Sequence, residues 1–373
     1  MRYYIIAGEA SGDLYGANLI KALREQDPAA EFRFWGGDAM KSVGGEPVRH
    51  IRELAIMGFL EVVMHLRTVL GNISFCKKDI LKWKPDAVIG IDYPGFNLKI
   101  EKWAHEQGIK AIHYISPQLW AWKKGRLKGM RRYQDRLCYI LPFEQDFYAK
   151  NNMPQAVYVG HPLVEVVAGF DKGHKEILKS DGRPVIALLP GSRKQELKKN
   201  LPGMVLLAQK HPEYHFVVGG MSLLDKALYE KYIPANSGIS VVYDETYRLL
   251  SQSFAAVVCS GTATLETGLF HVPQVVCYRG NPVSIAIAKA LVGRHINHIA
   301  LVDLIDDSNV VTELLQEDFN IRRLEEEFRL ITIDTTNRER MLEGYRRVEE
   351  KLGSAGASKK TAEVIIGEVK NKK

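Results

Sequence analysis

The chain is 373 residues long, and 46% of its residues are hydrophobic, so it has enough apolar side chains for a sizeable core. The length predicts two or three domains. The formal net charge of +7 favours anionic partners such as phosphates, nucleic acid or an acidic membrane surface, without choosing among them.

The sequence also excludes several classes of protein. The four cysteines are widely spaced and form no Cys-x-x-Cys pair, which excludes a zinc knuckle and a dense disulfide framework and indicates a reducing, cytoplasmic setting. The apolar run Met1–Ala7 is too short for a signal peptide, and no uncharged run reaches the roughly 18 apolar residues of a spanning helix. We therefore expect a chain that does not cross a membrane but can lie on one.

The first half of the chain alternates apolar strand candidates with helical patterns. The predicted strands are Tyr3–Ala7, Phe32–Trp35, Ala87–Ile91, Ala111–Ile115 and Leu137–Leu141. The predicted helices between them are Leu14–Arg24, Ile73–Trp83, Leu98–Glu106 and Phe143–Lys150. This alternation predicts βαβ units and a parallel, doubly wound α/β sheet.

The alternation loosens into a predicted linker over Val164–Pro184 and then restarts. Later strands are predicted at Val185–Leu189, Phe216–Val218, Ser240–Val242, Ala255–Cys259 and Gln274–Tyr278, and the chain from Asn309 onward reads as nearly all helix. We predict a Rossmann-like domain at residues 1–165, a second at 166–340 and a helical tail at 341–373. We expect the two domains to face a cleft, with ligands at the carboxyl ends of the strands.

The turn after Val185–Leu189 is the first candidate for an anion site. Gly191 lets the backbone turn closely, and the first amides of the helix that follows Ser192 and Arg193 then point outward. Such a helix start attracts phosphate, and Arg193 adds a permanent cation. An ordinary strand–helix connection with a solvated arginine is the alternative.

A second turn of the same kind follows the strand that ends at Cys259. Ser260, Gly261 and Thr262 precede a predicted helix, and the Glu266 carboxylate on its first turns can accept hydrogen bonds from two ribose hydroxyls. Each turn alone can be a simple helix cap. Two in one sheet favour a nucleotide-sugar diphosphate as the ligand.

Two candidates follow strands of the first half. Glu9 and Ser11 lie on a turn bounded by glycines. The spacing of these glycines does not fit the G-x-G-x-x-G pattern of dinucleotide-binding proteins. Asp38 follows the second predicted strand, so a nicotinamide oxidoreductase stays an alternative.

Asp92 ends a buried strand beside a Pro-Gly turn. A partly desolvated carboxylate there can have a raised pKa and act as a general base toward a hydroxyl, although a helix N-cap is the alternative.

Two apolar and aromatic segments suggest a lipid-like substrate. His113, Trp120 and Trp122 lie beside a basic cluster that can hold an amphiphile, or single-stranded nucleic acid, or form a core tryptophan pair. The segment Met57–Leu70 reads as a core helix or as a surface helix that dips into a membrane near Lys77, Lys78 and Lys82. Its candidate lipid contacts are Met57, Phe59 and Leu60.

Together these residues resemble the bacterial lipid A disaccharide synthase family, glycosyltransferases of the GT-B type. The resemblance extends over nearly the whole chain in ordered blocks. The blocks are Gly8–Asp13, Ala55–Gly58, Gly90–Asp92, Phe96–Asn97, His113–Pro117, Trp120–Trp122, Leu141–Glu144, Leu188–Arg193, Ser260–Ala263, Leu265–Glu266, Tyr278–Arg279 and Glu313–Gln316.

The resemblance implies that a diacylglucosamine unit moves from UDP to the 6-hydroxyl of diacylglucosamine 1-phosphate, with inversion and release of UDP. It implies that Asp92 is the general base and that Glu9 and Ser11 belong to the active-site turn. It places Arg193 and the turn Ser260–Ala263 on UDP. The resemblance also assigns to UDP binding the residues Arg279, Glu313 and Gln316. It assigns to the acceptor side the residues His113, Trp120 and Trp122.

No D-x-D pair occurs in the chain, and helix N-termini with Arg193 can neutralise the leaving diphosphate, so we expect no metal and no cofactor. The chain departs from the family at Asp303, where an asparagine is usual, and at Gly95, where a second acid is often found. Asp303 is assigned to UDP binding, as a hydrogen-bond partner of a sugar hydroxyl, or else it is turned away.

The resemblance further implies peripheral association with the cytoplasmic face of the bacterial inner membrane and no nucleic-acid partner, and it leaves a homodimer open. A related enzyme that acts on a non-acylated UDP-N-acetylglucosamine-type sugar is the alternative function. Such an enzyme would work without acyl chains on either substrate.

Overall fold

The computed structural model describes residues 1–54, 66–120, 125–171, 181–280 and 298–371. The chain divides into two compact units, Met1–Pro162 with Ser354–Lys373, and Leu163–Gly353. Each unit contains one parallel sheet with helices. The prediction of two doubly wound α/β sheets is therefore confirmed.

Seven strands form the sheet of the first unit. They are β1 (Arg2–Ala7), β2 (Glu31–Gly36), β3 (Glu46–His50), β4 (Ala87–Ile91), β5 (Lys110–Tyr114), β6 (Arg136–Tyr139) and β7 (Ala156–Tyr158). Their order is β3-β2-β1-β4-β5-β6-β7, and all neighbouring pairs are parallel. The described helices between them are α1 (Ala10–Gln26), α2 (Asp38–Ser42), α3 (Ile51–Leu54), α4 (Leu66–Trp83), α5 (Pro94–Glu106), α6 (Arg126–Tyr133) and α7 (Glu144–Lys150).

Six strands form the sheet of the second unit. They are β8 (Val185–Leu189), β9 (His215–Gly220), β10 (Ser240–Tyr243), β11 (Ala255–Cys259), β12 (Gln274–Tyr278) and β13 (Thr312–Leu315), in the order β10-β9-β8-β11-β12-β13. The described helices are α8 (Pro162–Ala168), α9 (Lys194–Lys210), α10 (Lys226–Glu230), α11 (Thr246–Ser251), α12 (Thr262–Leu269), α13 (Leu301–Asp306), α14 (Ile321–Thr332) and α15 (Thr335–Leu352). All neighbouring strands are again parallel.

The central strands are continuous apolar runs because helices cover both faces of each sheet. Residues Tyr3–Ala7 of β1 and Ala255–Val258 of β11 are fully buried. In the first unit, α4 and α5 pack their apolar faces on one side of the sheet around Trp35 and Phe96. Burial of such side chains contributes roughly 1.5–3 kcal/mol each.

Three strands were not predicted. β3 contains Pro47 and three charged or ionisable residues, β7 has three residues, and β13 reads Thr-Glu-Leu-Leu. All three lie at sheet edges, where short, polar and proline-containing strands are tolerated and leave no apolar signal. The expectation that the chain is nearly all helix from Asn309 onward was wrong at β13, and the start of the predicted linker Val164–Pro184 belongs to α8.

The last two helices of the chain belong to different units. α15 packs on α13 and α14 within the second unit, whereas α16 (Ala357–Lys370) packs on α1 within the first. The expected tail 341–373 is thus not one element. The predicted domain bounds 1–165 and 166–340 stay a prediction.

Strand order reverses once in each sheet. The chain moves from β1 outward to β3 and returns on the other side of β1 at β4, and it moves from β8 to β10 and returns at β11. At such a reversal the loops after the two neighbouring strands diverge and leave a crevice for a ligand. The candidate site therefore has to be sought after β1 and β4, and after β8 and β11.

Among the residues that the structure describes, no helix combines the length and the apolar composition needed to cross a membrane.

Candidate active site

The reversal in the first sheet brings two predicted acids to neighbouring strand ends. Ala7 of β1 pairs with Ile91 of β4, so Glu9 and Asp92 each follow one of these strands by one or two residues. Glu9 is exposed and precedes α1, Ser11 lies half-buried in the first turn of α1, and Asp92 is half-buried. The structure therefore places the three predicted catalytic residues on the two loops of one crevice.

The backbone at Asp92 is left-handed, with φ of 46° at Asp92 and 49° at Tyr93. Two successive residues of this kind cost on the order of 1–3 kcal/mol each and persist only where the surroundings enforce them. The Asp92 amide continues the sheet by donating to the Tyr114 carbonyl at 2.9 Å, and α5 begins directly afterwards at Pro94. The strand therefore ends abruptly, and the Asp92 side chain is turned out of the regular strand pattern.

A buried asparagine enforces this turn. Asn97 is 0% exposed, and its Nδ2 donates to the carbonyls of Asp92 at 2.7 Å and Ile6 at 3.2 Å, with a longer contact to Ile91. It thus fastens the end of β4 to β1. The sequence motif Phe96–Asn97 predicted no role for Asn97, although a polar side chain on the buried face of α5 was a usable signal.

The glycine before Glu9 has a packing role. A Cβ on Gly8 would lie 2.5 Å from the Tyr93 ring, so only glycine allows the β1 loop and the β4 loop to approach this closely.

His113 is placed differently from the expectation of an acceptor contact. It is 0% exposed on β5, and its Nδ1 lies 2.6 Å from Glu101 Oε1. Gln134 donates to the other oxygen of Glu101 at 2.7 Å. We therefore treat His113 as a buried partner of Glu101 instead of an acceptor contact; sequence reasoning found neither Glu101 nor Gln134.

Trp120 is half-buried and meets the Phe143 ring edge-on at 5.0 Å. The other predicted lipid and acceptor residues, Trp122, Met57, Phe59 and Leu60, lie outside the described residues.

The reversal in the second sheet carries the two predicted phosphate turns. Gly191 follows β8 with φ of 112°, and Gly261 follows β11 with φ of 147°, so both turns use a backbone conformation that favours glycine. Each leads into a helix, α9 at Lys194 and α12 at Thr262. Because β8 and β11 are neighbours, the two turns share one crevice.

The first of these turns already holds an anion from the chain itself. Glu196 Oε2 accepts from the amides of Ser192 at 3.1 Å and Arg193 at 3.2 Å, in a capping box with α9. The expectation that these amides are open to phosphate is therefore wrong in this structure. The Arg193 side chain is 64% exposed and lies 3.5 Å from Glu196 Oε1.

In the described part of the chain, no side chain caps the second turn. Gly261 is the N-cap of α12 and offers no side chain, and both Gly261 and Thr262 are exposed, with Ser260 half-buried. Glu266 lies half-buried one turn further, where Tyr247 donates to its Oε1 at 2.9 Å. Burial raises the pKa of the Glu266 carboxyl, and the Tyr247 hydrogen bond opposes this.

A second buried asparagine fastens this crevice. Asn200 of α9 is 0% exposed, and its Nδ2 donates to the Pro190 carbonyl at 3.2 Å and to Cys259 Sγ at 3.1 Å. Its Oδ1 accepts from the Arg279 amide at 3.2 Å. One side chain thus connects the ends of β8, β11 and β12.

The remaining predicted UDP residues lie after β12 and on or after β13. Arg279 is exposed and its guanidinium stacks on the Phe319 ring at 5.2 Å. Gln316 has a left-handed φ of 56°, and its Nε2 is buried without a hydrogen-bond partner in the described part of the chain. Glu313 Oε1 accepts from the amides of Ile299 at 2.8 Å and Ala300 at 2.5 Å.

Asp303 is fully buried in α13, at 0% exposure. Its Oδ1 accepts from the amides of Val310 at 2.9 Å and Val311 at 3.0 Å, while His298 Nδ1 lies 3.8 Å from Oδ2. His298, Asp303 and Glu313 each offer one ligand atom within 4.8 Å of the others. Backbone amides engage both oxygens of Glu313 and Oδ1 of Asp303, whereas Asp303 Oδ2 is buried without a hydrogen-bond partner among the described residues. The geometry gives Asp303 an internal role, and its contact with UDP stays a prediction.

Comparison with known proteins decides the family. A model of the lipid-A-disaccharide synthetase family matches residues 3–366. The chain belongs to the lipid-A-disaccharide synthetase family. The predicted family and the predicted glycosyltransferase activity in lipid A biosynthesis are thereby confirmed, and lipid A precursors are the substrates that the family implies.

Individual relatives match over almost their full length. The lipid-A-disaccharide synthase of Geobacter metallireducens is 36% identical over 375 residues, which cover 98% of this chain and 96% of the relative. That of Acidobacterium capsulatum is 38% identical over 376 residues, with 95% and 92% covered.

A solved structure supports the fold. The glycotransferase of kitacinnamycin superposes with a TM-score of 0.66 at 16% identity, over 98% of each chain. A likeness at this identity shows the fold alone, and it agrees with the predicted GT-B type of two Rossmann-like units.

The complete burial of Asp303 predicts a stability effect. Burial raises the pKa of the Asp303 carboxyl to about 7, so the folded chain keeps a proton that the unfolded chain has lost above about pH 4. Stability from this group is therefore lost as the pH rises from about 4 to about 7. Asp303→Asn keeps the acceptor for Val310 and Val311 and should raise the free energy of unfolding at pH 8 by on the order of 2–4 kcal/mol.

Denaturant unfolding at pH 8 and pH 4 measures this effect, which should vanish at the lower pH. Asp306→Asn is a matched control of opposite sign, because Arg347, Ser308 and Lys351 hold the pKa of Asp306 at about 2 despite its burial. Loss of the Asp306 carboxylate should destabilise the chain at pH 8. An Asp303→Asn variant that is less stable than the wild type at pH 8 would contradict the prediction.

Proposed function

We propose that the chain transfers a diacylglucosamine unit from UDP-diacylglucosamine to the 6-hydroxyl of diacylglucosamine 1-phosphate and releases UDP. The observation that supports this most is the position of the predicted residues at the two strand-order reversals, the acids after β1 and β4 and the glycine turns after β8 and β11. Family membership supplies the substrate class. The β-1,6 product requires inversion at the anomeric carbon of an α-linked donor.

Asp92 is the proposed general base. It is half-buried, it ends the strand next to β1, and its left-handed backbone is fixed by Asn97. A carboxylate held in one orientation can accept the proton of the 6-hydroxyl as that oxygen attacks the anomeric carbon. Glu9, after β1, and Ser11, at the start of α1, are the proposed contacts of acceptor hydroxyls.

The second unit is the proposed UDP site. α12 begins with an exposed N-terminus that no side chain of the described residues caps, and such helix starts bind phosphate through their amides and the helix dipole. The Glu196 carboxylate occupies the amides at α9, so the diphosphate is better placed at Gly261 and Thr262, with Arg193 as its cation. Glu266 is available for ribose hydroxyls, and the buried Nε2 of Gln316 for an acceptor atom on the nucleotide.

Removal of the proposed base should stop turnover. Asp92→Asn keeps the size of the side chain but cannot take a proton, so kcat should fall by about 10²–10⁴-fold. The assay mixes protein with both acylated substrates and measures UDP and disaccharide product. UDP binding should be unchanged, and an Asp92→Asn variant with full activity would remove Asp92 from the mechanism. Non-acylated substrates in the same assay test the alternative function.

Removal of the exposed cation should weaken nucleotide binding. Arg193→Ala deletes a guanidinium beside the proposed diphosphate, and charge-assisted hydrogen bonds contribute about 1.5–3 kcal/mol, so the Kd for UDP should rise by roughly 10- to 100-fold. Calorimetric titration with UDP measures the change. Arg322→Ala removes an arginine that is 79% exposed on α14 and serves as the control. Equal Kd values for Arg193→Ala and the wild type would contradict the assignment.

We further propose peripheral association with the inner face of a bacterial inner membrane. α4 exposes Leu70 and Leu81 at 53% and 49%; they lie about three turns apart on one face of the helix, next to exposed Lys78 and Lys82. An apolar helix face with flanking lysines is the pattern that binds anionic lipid surfaces. This placement would bring the site to its acylated substrates.

Polar substitution on α4 should weaken this association. The double variant Leu70→Ser with Leu81→Ser removes exposed apolar side chains and should reduce the fraction that sediments with phosphatidylglycerol vesicles several-fold. Leu330→Ser with Ile333→Ser, which are 40% and 70% exposed in the second unit, is the matched control. Equal sedimentation of both double variants would argue against α4 as the membrane face.

A further inference from the structure

Two carboxylates and an imidazole meet beside α13. Asp303 lies in α13 at 0% exposure, Glu313 lies half-buried on β13, and His298 lies in the loop just before α13. Each of the three side chains offers one ligand atom, and these atoms all lie within 4.8 Å of one another. The fold thus gathers three side chains that can bind a metal from a loop, a helix and a strand.

One oxygen of this group lacks a hydrogen bond. Asp303 Oδ2 is buried without a hydrogen-bond partner among the described residues. It lies 3.8 Å from His298 Nδ1, which is longer than a hydrogen bond. A buried polar atom without a partner is unfavourable and calls for an explanation. A cation bound between Oδ2 and Nδ1 supplies one, because it would contact both atoms.

The other carboxylate oxygens are oriented by backbone amides. Asp303 Oδ1 accepts from two amides at 2.9 and 3.0 Å. Ile299 and Ala300 donate to Glu313 Oε1 at 2.8 and 2.5 Å, and Ile299 also to Oε2 at 3.2 Å. Carboxylates that bind metals are typically held in this way by outer hydrogen bonds. Since an ionised carboxylate has about four lone-pair sites, these amides leave sites for a cation.

The charge of the group also favours a cation. Among the described residues, no lysine or arginine forms an ion pair with Asp303 or Glu313, and His298 is the ionisable partner of Asp303. Buried carboxylates are costly without a compensating positive charge. An imidazolium at 3.8 Å would compensate one charge and still leave Oδ2 without a hydrogen bond, whereas a divalent ion would compensate both carboxylates.

The donor set decides the class of ion. One imidazole nitrogen with two carboxylate oxygens suits zinc and other divalent transition metals, whereas magnesium and calcium prefer oxygen ligands. On a tetrahedral zinc ion with bonds of ~2.0–2.1 Å, ligand atoms lie roughly 3.3–3.4 Å apart. The 3.8 Å between His298 Nδ1 and Asp303 Oδ2 is close to that separation, and the remaining pairs, within 4.8 Å, reach it by closing at most about 1.5 Å.

We propose that His298, Asp303 and Glu313 bind a divalent transition metal ion of the zinc class. His298 Nδ1, Asp303 Oδ2 and one oxygen of Glu313 are the ligands, and water completes the coordination shell. The ion connects the start of α13 to β13, which is an edge strand, and so stabilises this part of the second unit. It takes no part in the transfer step and is not assigned to the diphosphate. The stability prediction for Asp303→Asn refers to the chain without the ion.

The first test is the binding of Co²⁺, whose visible absorption reports its ligands, to the full chain after treatment with a chelator and dialysis. We expect one Co²⁺ per chain, with the d–d bands of an ion bound by nitrogen and oxygen, and loss of these bands when Zn²⁺ is added. A wild type that binds neither Co²⁺ nor Zn²⁺ would overturn the proposal. The charge-transfer band of a thiolate ligand would also overturn it, because it would place the ion on cysteine.

The second test compares variants of the ligands. Asp303→Asn keeps an acceptor for the two amides but loses the charge, and His298→Gln loses the imidazole. For each, the Kd for Zn²⁺, measured by competition with a chromophoric chelator, should rise at least about 10-fold, because even the loss of an outer hydrogen bond costs this much. Asp307→Asn is the matched control, since Asp307 is exposed at the end of α13 with a φ of 56° that asparagine tolerates. An unchanged Kd in both ligand variants would overturn the proposal.

Thermal unfolding separates loss of the site from loss of the fold, and none of these measurements depends on glycosyl transfer. Zn²⁺ should raise the Tm of the wild type and of Asp307→Asn, because an ion that binds the folded chain stabilises it, and should leave the Tm of Asp303→Asn and His298→Gln unchanged. Circular dichroism in the chelator checks that each variant folds, and Glu313→Gln replaces a variant that does not. An equal rise in Tm in the wild type and the folded ligand variants, or a rise with Mg²⁺ and none with Zn²⁺, would contradict the proposal.

Discussion

The reversal of strand order is the constraint on which both candidate sites depend. In a parallel sheet every strand points its carboxyl end to the same edge, and only at a reversal do the following loops part. β1 and β4 meet in one sheet, and β8 and β11 in the other. The acids therefore gather at one reversal and the glycine turns at the other, although each pair is separated by scores of residues in the chain.

Each reversal is fastened by one buried asparagine. Asn97 connects the Ile6 carbonyl within β1 to the Asp92 carbonyl after β4, and Asn200 connects the ends of β8, β11 and β12. A single amide can donate and accept, so it satisfies backbone groups that the irregular strand ends leave without sheet partners. The two reversals differ in what they hold. The first unit has a strained turn with a carboxylate. The second has two helix starts: Glu196 caps α9, and no carboxylate of the described residues caps α12.

Much of the fold could be predicted from the sequence because buried parallel strands are continuous apolar runs, as β1, β4, β8 and β11 are. The edge strands β3, β7 and β13 could not be predicted, because a strand at the edge of a sheet needs few buried apolar side chains. At the site, the positions of Asp92 and of the two glycine turns could be predicted because each directly follows an apolar strand. The partners of His113 and the Glu196 cap were not, because they depend on which side chains meet in space.

The most direct test of Asp92 as the acceptor of the hydroxyl proton is a crystal structure of Asp92→Asn with UDP and the acylated acceptor. The account predicts the 6-hydroxyl oxygen at about 2.6–3.2 Å from the side chain at position 92, the range of a hydrogen bond to a base. It also predicts the diphosphate at the start of α12. An acceptor whose 6-hydroxyl meets Glu9 instead, with position 92 turned away, would contradict the account.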